Sequence, residues 1–293
     1  MKNRSPKYAF FGSSRFSVVV LDEMEKAELI PSLIVTTPDR PAGRGQRLSA
    51  SPVKIWAESR SIPIFQPHGF KDSDNMAELK RMAPDPTKEW DIFIVASYGY
   101  ILPSTVIYMP KFKSLNIHPS LLPKLRGPSP IQEAILKEEE TGVTIMRMDE
   151  KMDHGPILGQ SKLKYQLWPP DSPTLEYDLA KEGARLLVDI IPLWTQGKIK
   201  ETPQNEKEAT YSSTIKKDDA LLDIENESPD TLLRKVRAYK DRPKAHFFLH
   251  SAKKEGMRII VTEAAIKNGK LEILRVIPEG KKEMKYEDFL KGL

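Results

Sequence analysis

Three polar side chains, two of them close together in the sequence, have the types that acyl transfer needs. Asn116 and His118 lie two residues apart in an apolar segment, and Asp153 lies within residues 152–156. Side chains two apart on a strand point to the same face, so a strand over residues 114–117 would direct an amide and an imidazole at one spot. Such a pair suits an oxygen that becomes negative during acyl transfer, while the carboxylate suits proton relay. For each residue alone, a structural role at a strand end or a turn is the alternative.

The sequence around these three residues resembles the folate-dependent formyltransferases. Residues 116–123, with residues 126–127 and 130–132, are similar to the central signature of that family, and residues 140–155 are similar to its second block. The resemblance implies that the three polar residues are catalytic and that 10-formyltetrahydrofolate donates the formyl group. It also implies an α/β fold with a Rossmann-like, doubly wound and mostly parallel sheet, followed by a small OB-like β-barrel domain.

Three narrower segments are similar to the branch of the family that acts on tRNA. They are residues 38–45 with 51–54, residues 209–211, and residues 278–282 followed by Phe289. The resemblance therefore implies formyl transfer to the α-amino group of the initiator methionyl-tRNA, for translation initiation. Alternatives with the same catalytic groups stay open, namely an amino-sugar nucleotide or glycinamide ribotide as the acceptor, or hydrolysis of the formylfolate. A nucleic-acid-binding protein without activity is a further alternative, but it leaves the Asn/His/Asp set unexplained.

A separate segment fits a flat heterocycle. Residues 97–103 follow an apolar run, Gly99 lets the backbone approach a ligand closely, and the neighbouring side chains are aromatic or aliphatic. Ordinary packing above a sheet edge is the alternative interpretation. The resemblance assigns this loop to the pterin ring of folate. The predicted folate-binding residues are Ser97, Tyr98, Gly99, Tyr100, Ile101, Leu102, Ser120, Leu121, Leu122 and Pro123.

Positive charge is concentrated in two segments. Residues 40–47 contain three arginines and two glycines, and residues 231–258 carry nine Lys or Arg against two acidic residues. Guanidinium groups match phosphates and base edges, although a solvated surface has the same composition. The resemblance implies that the first segment enters the acceptor end of the tRNA, and the second would then follow its phosphates. The predicted tRNA contacts are Arg40, Arg44, Arg47, Arg234, Arg237 and Lys240.

Composition limits the remaining classes of function. The 293 residues are 39% hydrophobic and 30% charged, which is typical of a soluble globular protein with one or two domains. No apolar run approaches the ~20 residues of a membrane span, and we expect no secretory signal. The chain has no cysteine, and its five histidines lack metal-binding spacing. We therefore expect a cytoplasmic protein that binds neither metal nor membrane. We also expect a monomer, although composition does not bear on the oligomeric state.

Residues 10–16 stand where a Rossmann fold would carry its phosphate-binding turn. They contain one glycine instead of G-x-G-x-x-G, so we do not expect a dinucleotide. The formyltransferase pattern has Thr-Pro and an acidic residue where this chain has Ser13, Ser14 and Arg15. That departure leaves open what replaces the contacts of the acidic residue. His154 stands where many relatives have Thr, and we assign it no role.

Hydrophobic periodicity predicts the elements that would position these residues. Apolar runs alternate with helical patterns, which indicates a mostly parallel sheet that binds ligands at the carboxyl ends of its strands. The predicted strands are residues 8–11, 32–36, 62–65, 91–96, 141–148 and 158–167, and the predicted helices are residues 16–26, 52–59, 76–82 and 171–190. We predict a catalytic domain at 1–195, a polar linker at 196–209 and a strand-rich tRNA-binding domain at 210–293, with a hairpin turn at Asn268-Gly269.

Overall fold

The computed structural model describes residues 6–42, 47–84, 89–137, 140–251 and 254–293. The chain forms two compact units. The larger unit consists of Met1–Arg126, Gly142–Leu163 and Tyr177–Thr210, and the smaller unit consists of Gly127–Thr141, Lys164–Glu176 and Tyr211–Leu293.

The described residues form both strands and helices, which are numbered separately in chain order. The strands are β1 (Tyr8–Phe11), β2 (Leu33–Val35), β3 (Arg40–Ala42), β4 (Arg47–Ser49), β5 (Ile64–Phe65), β6 (Ile92–Val95), β7 (Ser114–His118), β8 (Thr141–Arg147), β9 (Ile157–Leu163), β10 (His246–Ser251), β11 (Lys254–Lys267), β12 (Lys270–Pro278) and β13 (Met284–Lys285). The helices are α1 (Arg15–Lys26), α2 (Pro52–Glu58), α3 (Ser73–Arg81), α4 (Ser104–Ile107), α5 (Pro130–Lys137), α6 (Ser172–Thr195), α7 (Pro229–Ala238) and α8 (Tyr286–Leu290).

A seven-stranded sheet, in the order β5-β2-β1-β6-β7-β8-β9, forms the centre of the larger unit. The pairings from β5 to β7 are parallel, and β8 runs antiparallel to β7. The inner strands β1, β2 and β6 are buried along their whole length, as expected for parallel strands with apolar sequences. The predicted α/β class with a mostly parallel sheet is confirmed.

Serine residues begin two of the helices that follow these strands. Ser14 caps α1 by accepting a hydrogen bond from the Ser17 amide, and the two residues form a reciprocal capping box. Ser51 caps α2, where Pro52 occupies the first turn and needs no hydrogen-bond donor. Ser14, which belongs to the segment that departs from the formyltransferase pattern, is therefore the N-cap of α1.

The smaller unit contains a four-stranded antiparallel sheet in the order β10-β11-β12-β13, and α7 packs against β11, β12 and α5. The predicted β-rich domain thus corresponds to this sheet. Asn268 and Gly269 have φ angles of 50° and 73°, which a two-residue hairpin turn requires. That predicted turn is confirmed.

Several elements differ from the sequence prediction. β9 ends at Leu163 although the apolar pattern continued to residue 167, and α6 continues to Thr195, beyond the predicted end at residue 190. The β3–β4 hairpin and α5 were not predicted. Within the described part of the chain, no helix has both the length and the apolar composition needed to cross a membrane.

Candidate active site

Strand β7 places Asn116 and His118 on the same face of the sheet. Asn116 lies opposite Val95 of β6 and Met146 of β8, and His118 is the last residue of the strand. His118 is buried, with 4% of its surface exposed, and Asn116 is half-buried. Among the described residues, none forms a hydrogen bond with the Asn116 side-chain amide. The amide therefore retains its hydrogen-bonding capacity at the carboxyl end of a parallel strand.

The two nitrogens of His118 have different neighbours. Nε2 lies 3.0 Å from the carbonyl oxygen of Leu125, and Nδ1 lies 3.6 Å from Oδ1 of Asp153. A carbonyl oxygen only accepts hydrogen bonds, so Nε2 carries a proton and donates a hydrogen bond to the Leu125 carbonyl. Nδ1 is therefore the nitrogen that remains for chemistry, and it faces a carboxylate that is itself mostly buried.

Asp153 lies on a tight turn that the backbone of β8 constrains. Its φ angle is 51°, in the left-handed region that Asp adopts at a cost. A Cβ atom built on Gly155 would come within 1.8 Å of the Arg147 carbonyl oxygen, so only glycine fits at that position. The turn thus brings Asp153 beside His118, although 35 residues of sequence separate them.

Gln204 forms two hydrogen bonds with this turn. Its Nε2 donates to the carbonyl oxygens of Asp153, at 2.9 Å, and Gly155, at 2.7 Å. Its Oε1 accepts from Nε and Nη2 of Arg126, at 3.0 and 2.8 Å. Sequence patterns did not identify Gln204, because it belongs to a polar segment without periodicity.

Arg126 is the centre of this polar network. The residue is 1% exposed, and its guanidinium group donates to both carboxylate oxygens of Glu206, at 2.6 and 3.0 Å. This hydrogen bonding to Arg126 lowers the pKa of the Glu206 carboxyl group. The Arg126 amide donates to the Thr210 carbonyl, and the Leu125 amide donates to the Thr210 hydroxyl. Leu125, which contacts His118, and Arg126, which contacts Gln204, therefore connect the histidine with the segment that carries Gln204.

His154, which had no predicted role, belongs to the same network. Its Nδ1 lies 2.6 Å from Oδ2 of Asp149, and its Nε2 lies 3.5 Å from Oε1 of Glu206. Across the described residues, no group of three or more His, Cys, Asp or Glu has the arrangement of a metal site.

The predicted folate loop follows β6 and turns sharply. Ser97 and Gly99 have φ angles of 52° and 90°, and Ile101 is 84% exposed. The Tyr98 ring points away from solvent into the core, where it contacts Phe11 edge to face at 5.4 Å. Burial raises the pKa of the Tyr98 hydroxyl. Any contact of Tyr98 with a ligand would therefore come from its main chain.

Ser13 supports this loop from β1. Its hydroxyl donates to the Tyr98 carbonyl at 3.1 Å and accepts from the Thr37 amide at 3.1 Å. It also lies 3.1 Å from the hydroxyl of Thr36. Ser13 thus joins the carboxyl ends of three parallel strands. The Ser13-Ser14-Arg15 sequence, which lacks the acidic residue of the family pattern, therefore still provides polar contacts at this position.

Residues 120–123 form the second predicted folate-binding segment, and side chains of β8 and β9 hold its main chain. The Ser120 carbonyl accepts from the Thr144 hydroxyl at 2.7 Å, and the Leu122 amide donates to the same hydroxyl at 3.1 Å. The Leu122 carbonyl accepts from Gln160 at 2.7 Å. The Leu121 and Pro123 carbonyls also accept hydrogen bonds, from the Lys124 and Thr210 amides at 3.1 and 3.4 Å, so the main chain of the whole segment is held in place.

The predicted tRNA contacts have varied surroundings. In the larger unit, Arg40 is exposed and donates to the Tyr100 hydroxyl at 3.0 Å, whereas Arg44 and the side chain of Arg47 lie outside the described residues. In the smaller unit, Arg234 is only 17% exposed and binds Asp230 at 2.8 Å.

The two remaining cations lie farther along the smaller unit. Arg237 donates to the Pro169 carbonyl. Lys240 pairs with Asp171 at 2.7 Å and keeps 41% of its side chain exposed. It is therefore more accessible than Arg234.

Comparison with known proteins gives consistent results. A protein family described as Formyl transferase matches residues 6–191. The chain is 34% identical over 312 residues to the methionyl-tRNA formyltransferase of Dictyoglomus turgidum, covering 97% of this chain and 95% of that protein. It is 35% identical over 306 residues to the methionyl-tRNA formyltransferase of Methylococcus capsulatus, covering 98% and 96%.

A solved structure supports the fold. The methionyl-tRNA formyltransferase from Clostridium thermocellum aligns with a TM-score of 0.59 at 15% sequence identity, covering 93% of this chain and 98% of that one. At this identity the likeness concerns the fold alone.

Proposed function

The chain belongs to the formyl transferase family, and we propose that it transfers the formyl group of 10-formyltetrahydrofolate to the α-amino group of methionyl-tRNA. The observation that carries the proposed acceptor is similarity along nearly the full length of both chains to proteins named methionyl-tRNA formyltransferase. The observation that supports the chemistry is the pairing of His118 with Asp153 beside Asn116, at the carboxyl end of β7.

Asn116 and His118 would stabilise the charge that develops on the formyl oxygen. The Asn116 amide donates one hydrogen bond, and Nδ1 of His118 donates a second, charge-assisted bond when the ring is protonated. The Leu125 carbonyl holds Nε2 and so fixes the orientation of the ring before the substrates bind. Such preorganised donors contribute most where water is excluded, and the 4% exposure of His118 provides that condition.

Asp153 would move protons. The attacking amine must lose a proton when it bonds to the formyl carbon, and the departing folate nitrogen must gain one as its bond to that carbon breaks. Asp153 lies 3.6 Å from Nδ1 of His118 and accepts the proton of the amine, directly or through a water molecule. The proton then passes to the leaving nitrogen, so the carboxylate is unchanged after each turnover.

The residues of the β6 loop fit a flat heterocycle. Gly99 is exposed and has open space where a Cβ would stand, with Thr37 Cγ2 4.0 Å away, and its φ of 90° is one that glycine adopts readily. Residues 97–102 and 120–123 would hold the pterin ring, with the reactive nitrogen near Asn116. Bound folate supplies the formyl group.

Cations on both units would bind the acceptor. Arg40, Arg44 and Arg47 would contact the acceptor end, and Arg234, Arg237 and Lys240 would contact phosphates without reading sequence. We also propose that the chain works as a cytoplasmic monomer. All three proposed catalytic groups come from one chain, and a sequence without cysteine fits a compartment where disulfides rarely form.

One assay tests this function against its alternatives. Labelled 10-formyltetrahydrofolate is incubated with the protein and methionyl-tRNA, an amino-sugar nucleotide, glycinamide ribotide, or buffer alone. We expect label on methionyl-tRNA and none on the other acceptors. Label on the sugar or the ribotide would change the acceptor, and labelled formate released in buffer at the same rate would identify a hydrolase.

A further inference from the structure

We infer that Gln204 is a positioning residue for Asp153, and that the buried guanidinium of Arg126 fixes its orientation. The inference rests on the proposed function, because it assigns Gln204 an effect on formyl transfer through Asp153. It concerns a residue in a polar segment that ordinary sequence patterns would interpret as a connection.

The contacts of Gln204 are with the backbone of the turn that presents Asp153. The side-chain amide donates to the carbonyl oxygens of Asp153 and Gly155, at 2.9 and 2.7 Å. Asp153 has a φ of 51°, a conformation that costs a non-glycine residue free energy and persists when its surroundings enforce it. The two hydrogen bonds from Gln204 help to hold the turn in this conformation.

Arg126 determines which end of the Gln204 amide faces the turn. A guanidinium group has only donors, and Nε and Nη2 of Arg126 lie 3.0 and 2.8 Å from Oε1 of Gln204. The amide oxygen must therefore face Arg126, and the amide nitrogen must face the two carbonyls. Arg126 is 1% exposed and is held by both oxygens of Glu206, so it has little freedom to turn away.

The substitution Gln204→Glu keeps the interaction with Arg126 but removes the hydrogen bonds to the turn. One carboxylate oxygen still accepts from Arg126, so the anchor remains. The other oxygen replaces the amide nitrogen and faces two carbonyl oxygens, which have no proton to donate. The turn must then move, and Asp153 moves with it.

The test measures kcat, KM and thermal unfolding of the full chain, with 10-formyltetrahydrofolate and methionyl-tRNA as substrates. We expect Gln204→Glu to lower kcat by about 10- to 100-fold, the range that a displacement near 1 Å can cause. The KM for folate should stay within about twofold, since the hydrogen bonds of Gln204 go to Arg126, Asp153 and Gly155, which are outside the predicted folate-binding residues. Gln204→Met, which removes the donors without adding charge, is the second variant in case the first does not fold.

A double-mutant cycle distinguishes positioning from general stability. In an Asp153→Asn background, measured under single-turnover conditions, Gln204→Glu should lower the remaining rate by less than about twofold, because its effect passes through the carboxylate. Asn205→Asp is the matched control. It makes the same amide-to-acid change one residue away, where the exposed side chain forms hydrogen bonds with Lys207 and Glu208, and it should keep the wild-type rate.

Two results would overturn the inference. One is a kcat within about twofold of wild type in folded Gln204→Glu and Gln204→Met. The other is an equal loss from the Gln204 change in both backgrounds, which would indicate a purely structural effect. Failure of the proposed function is visible separately, because the wild-type protein would then not formylate methionyl-tRNA at all.

Discussion

Asn116 and His118 show how much of the geometry of a candidate site residue spacing alone can predict. Their separation by two residues was enough to place them on one face of a strand, and the structure has that strand. The proton arrangement of His118 was not predictable, because it depends on the carbonyl of Leu125, which any residue type could provide. The approach of Asp153 to the imidazole also needed the folded turn.

We predict that Asn116→Ala loses formyl transfer while the protein still folds. Removing one preorganised donor to a developing oxyanion typically costs about 10²–10³ in rate. The half-buried amide has no hydrogen bond to lose within the described chain, so stability should change little. The measurement is kcat with methionyl-tRNA, together with thermal unfolding.

Asn226→Ala is the control for that change. Asn226 is exposed and contacts Asp223 in the smaller unit, so its loss should leave the rate unaltered. A folded Asn116→Ala protein with near-wild-type turnover would remove this amide from the catalytic set.

The elements that carry the site were predicted unevenly. Buried parallel strands were recognisable because their apolar runs are short and continuous. The polar segment between 201 and 210 was not, because its partners are remote in sequence. Ile157 and Thr202 form a bridge, and Arg147 binds Glu201 at 2.8 and 3.0 Å. Composition predicts such a segment as a connection, while its hydrogen bonds support the turn of Asp153.

Helix α5 illustrates a different limit. It begins in the central signature that the sequence resembles, at residues 130–132, yet it groups with the smaller unit and packs against α7. Motif similarity identified these residues without indicating their packing. The division into a catalytic and a tRNA-binding domain at residues 195 and 210 remains a prediction about function.

At the scale of the turn, we predict that Gly155→Ala destabilises the larger unit and lowers activity. The new Cβ would lie 1.8 Å from the Arg147 carbonyl oxygen, so the backbone of the turn must shift. Overpacking of this kind costs about 1–3 kcal/mol. Urea unfolding and kcat should both change.

The matched substitution is Gly292→Ala, where the new Cβ would meet the Phe289 carbonyl at an ordinary 3.5 Å. It should leave stability within experimental error. If Gly155→Ala has the stability and turnover of wild type, close packing of the turn against β8 is not needed for the site.

At the scale of the whole molecule, the distribution of charge along the sequence indicated more about function than the net charge did. The net charge of +5 would fit many proteins, whereas the reversal from acidic residues 201–230 to basic residues 231–258 indicated a phosphate-binding surface. The structure refines that expectation, because Arg234 is engaged with Asp230 and mostly covered. Lys240 is the more accessible of the two, so it offers the sharper test.

We predict that Lys240→Met weakens methionyl-tRNA binding and makes its salt dependence shallower by about one unit in log Kd against log salt. Lys26→Met is the control, since Lys26 also pairs with a carboxylate, at 2.6 Å, but lies on α1 of the larger unit. Its salt slope should equal that of wild type. Equal slopes for Lys240→Met and wild type would show that Lys240 does not contact phosphate.

The most direct test of the account is the single-turnover rate of formyl transfer in Asp153→Asn. Asparagine adopts the left-handed backbone conformation readily, so the turn and the fold should persist while the charge is lost. We expect at least a ~10²-fold slower rate with unchanged folate binding, because the imidazole loses its carboxylate and the amine its proton acceptor. A folded Asp153→Asn protein that formylates methionyl-tRNA within a few-fold of the wild-type rate would contradict the account.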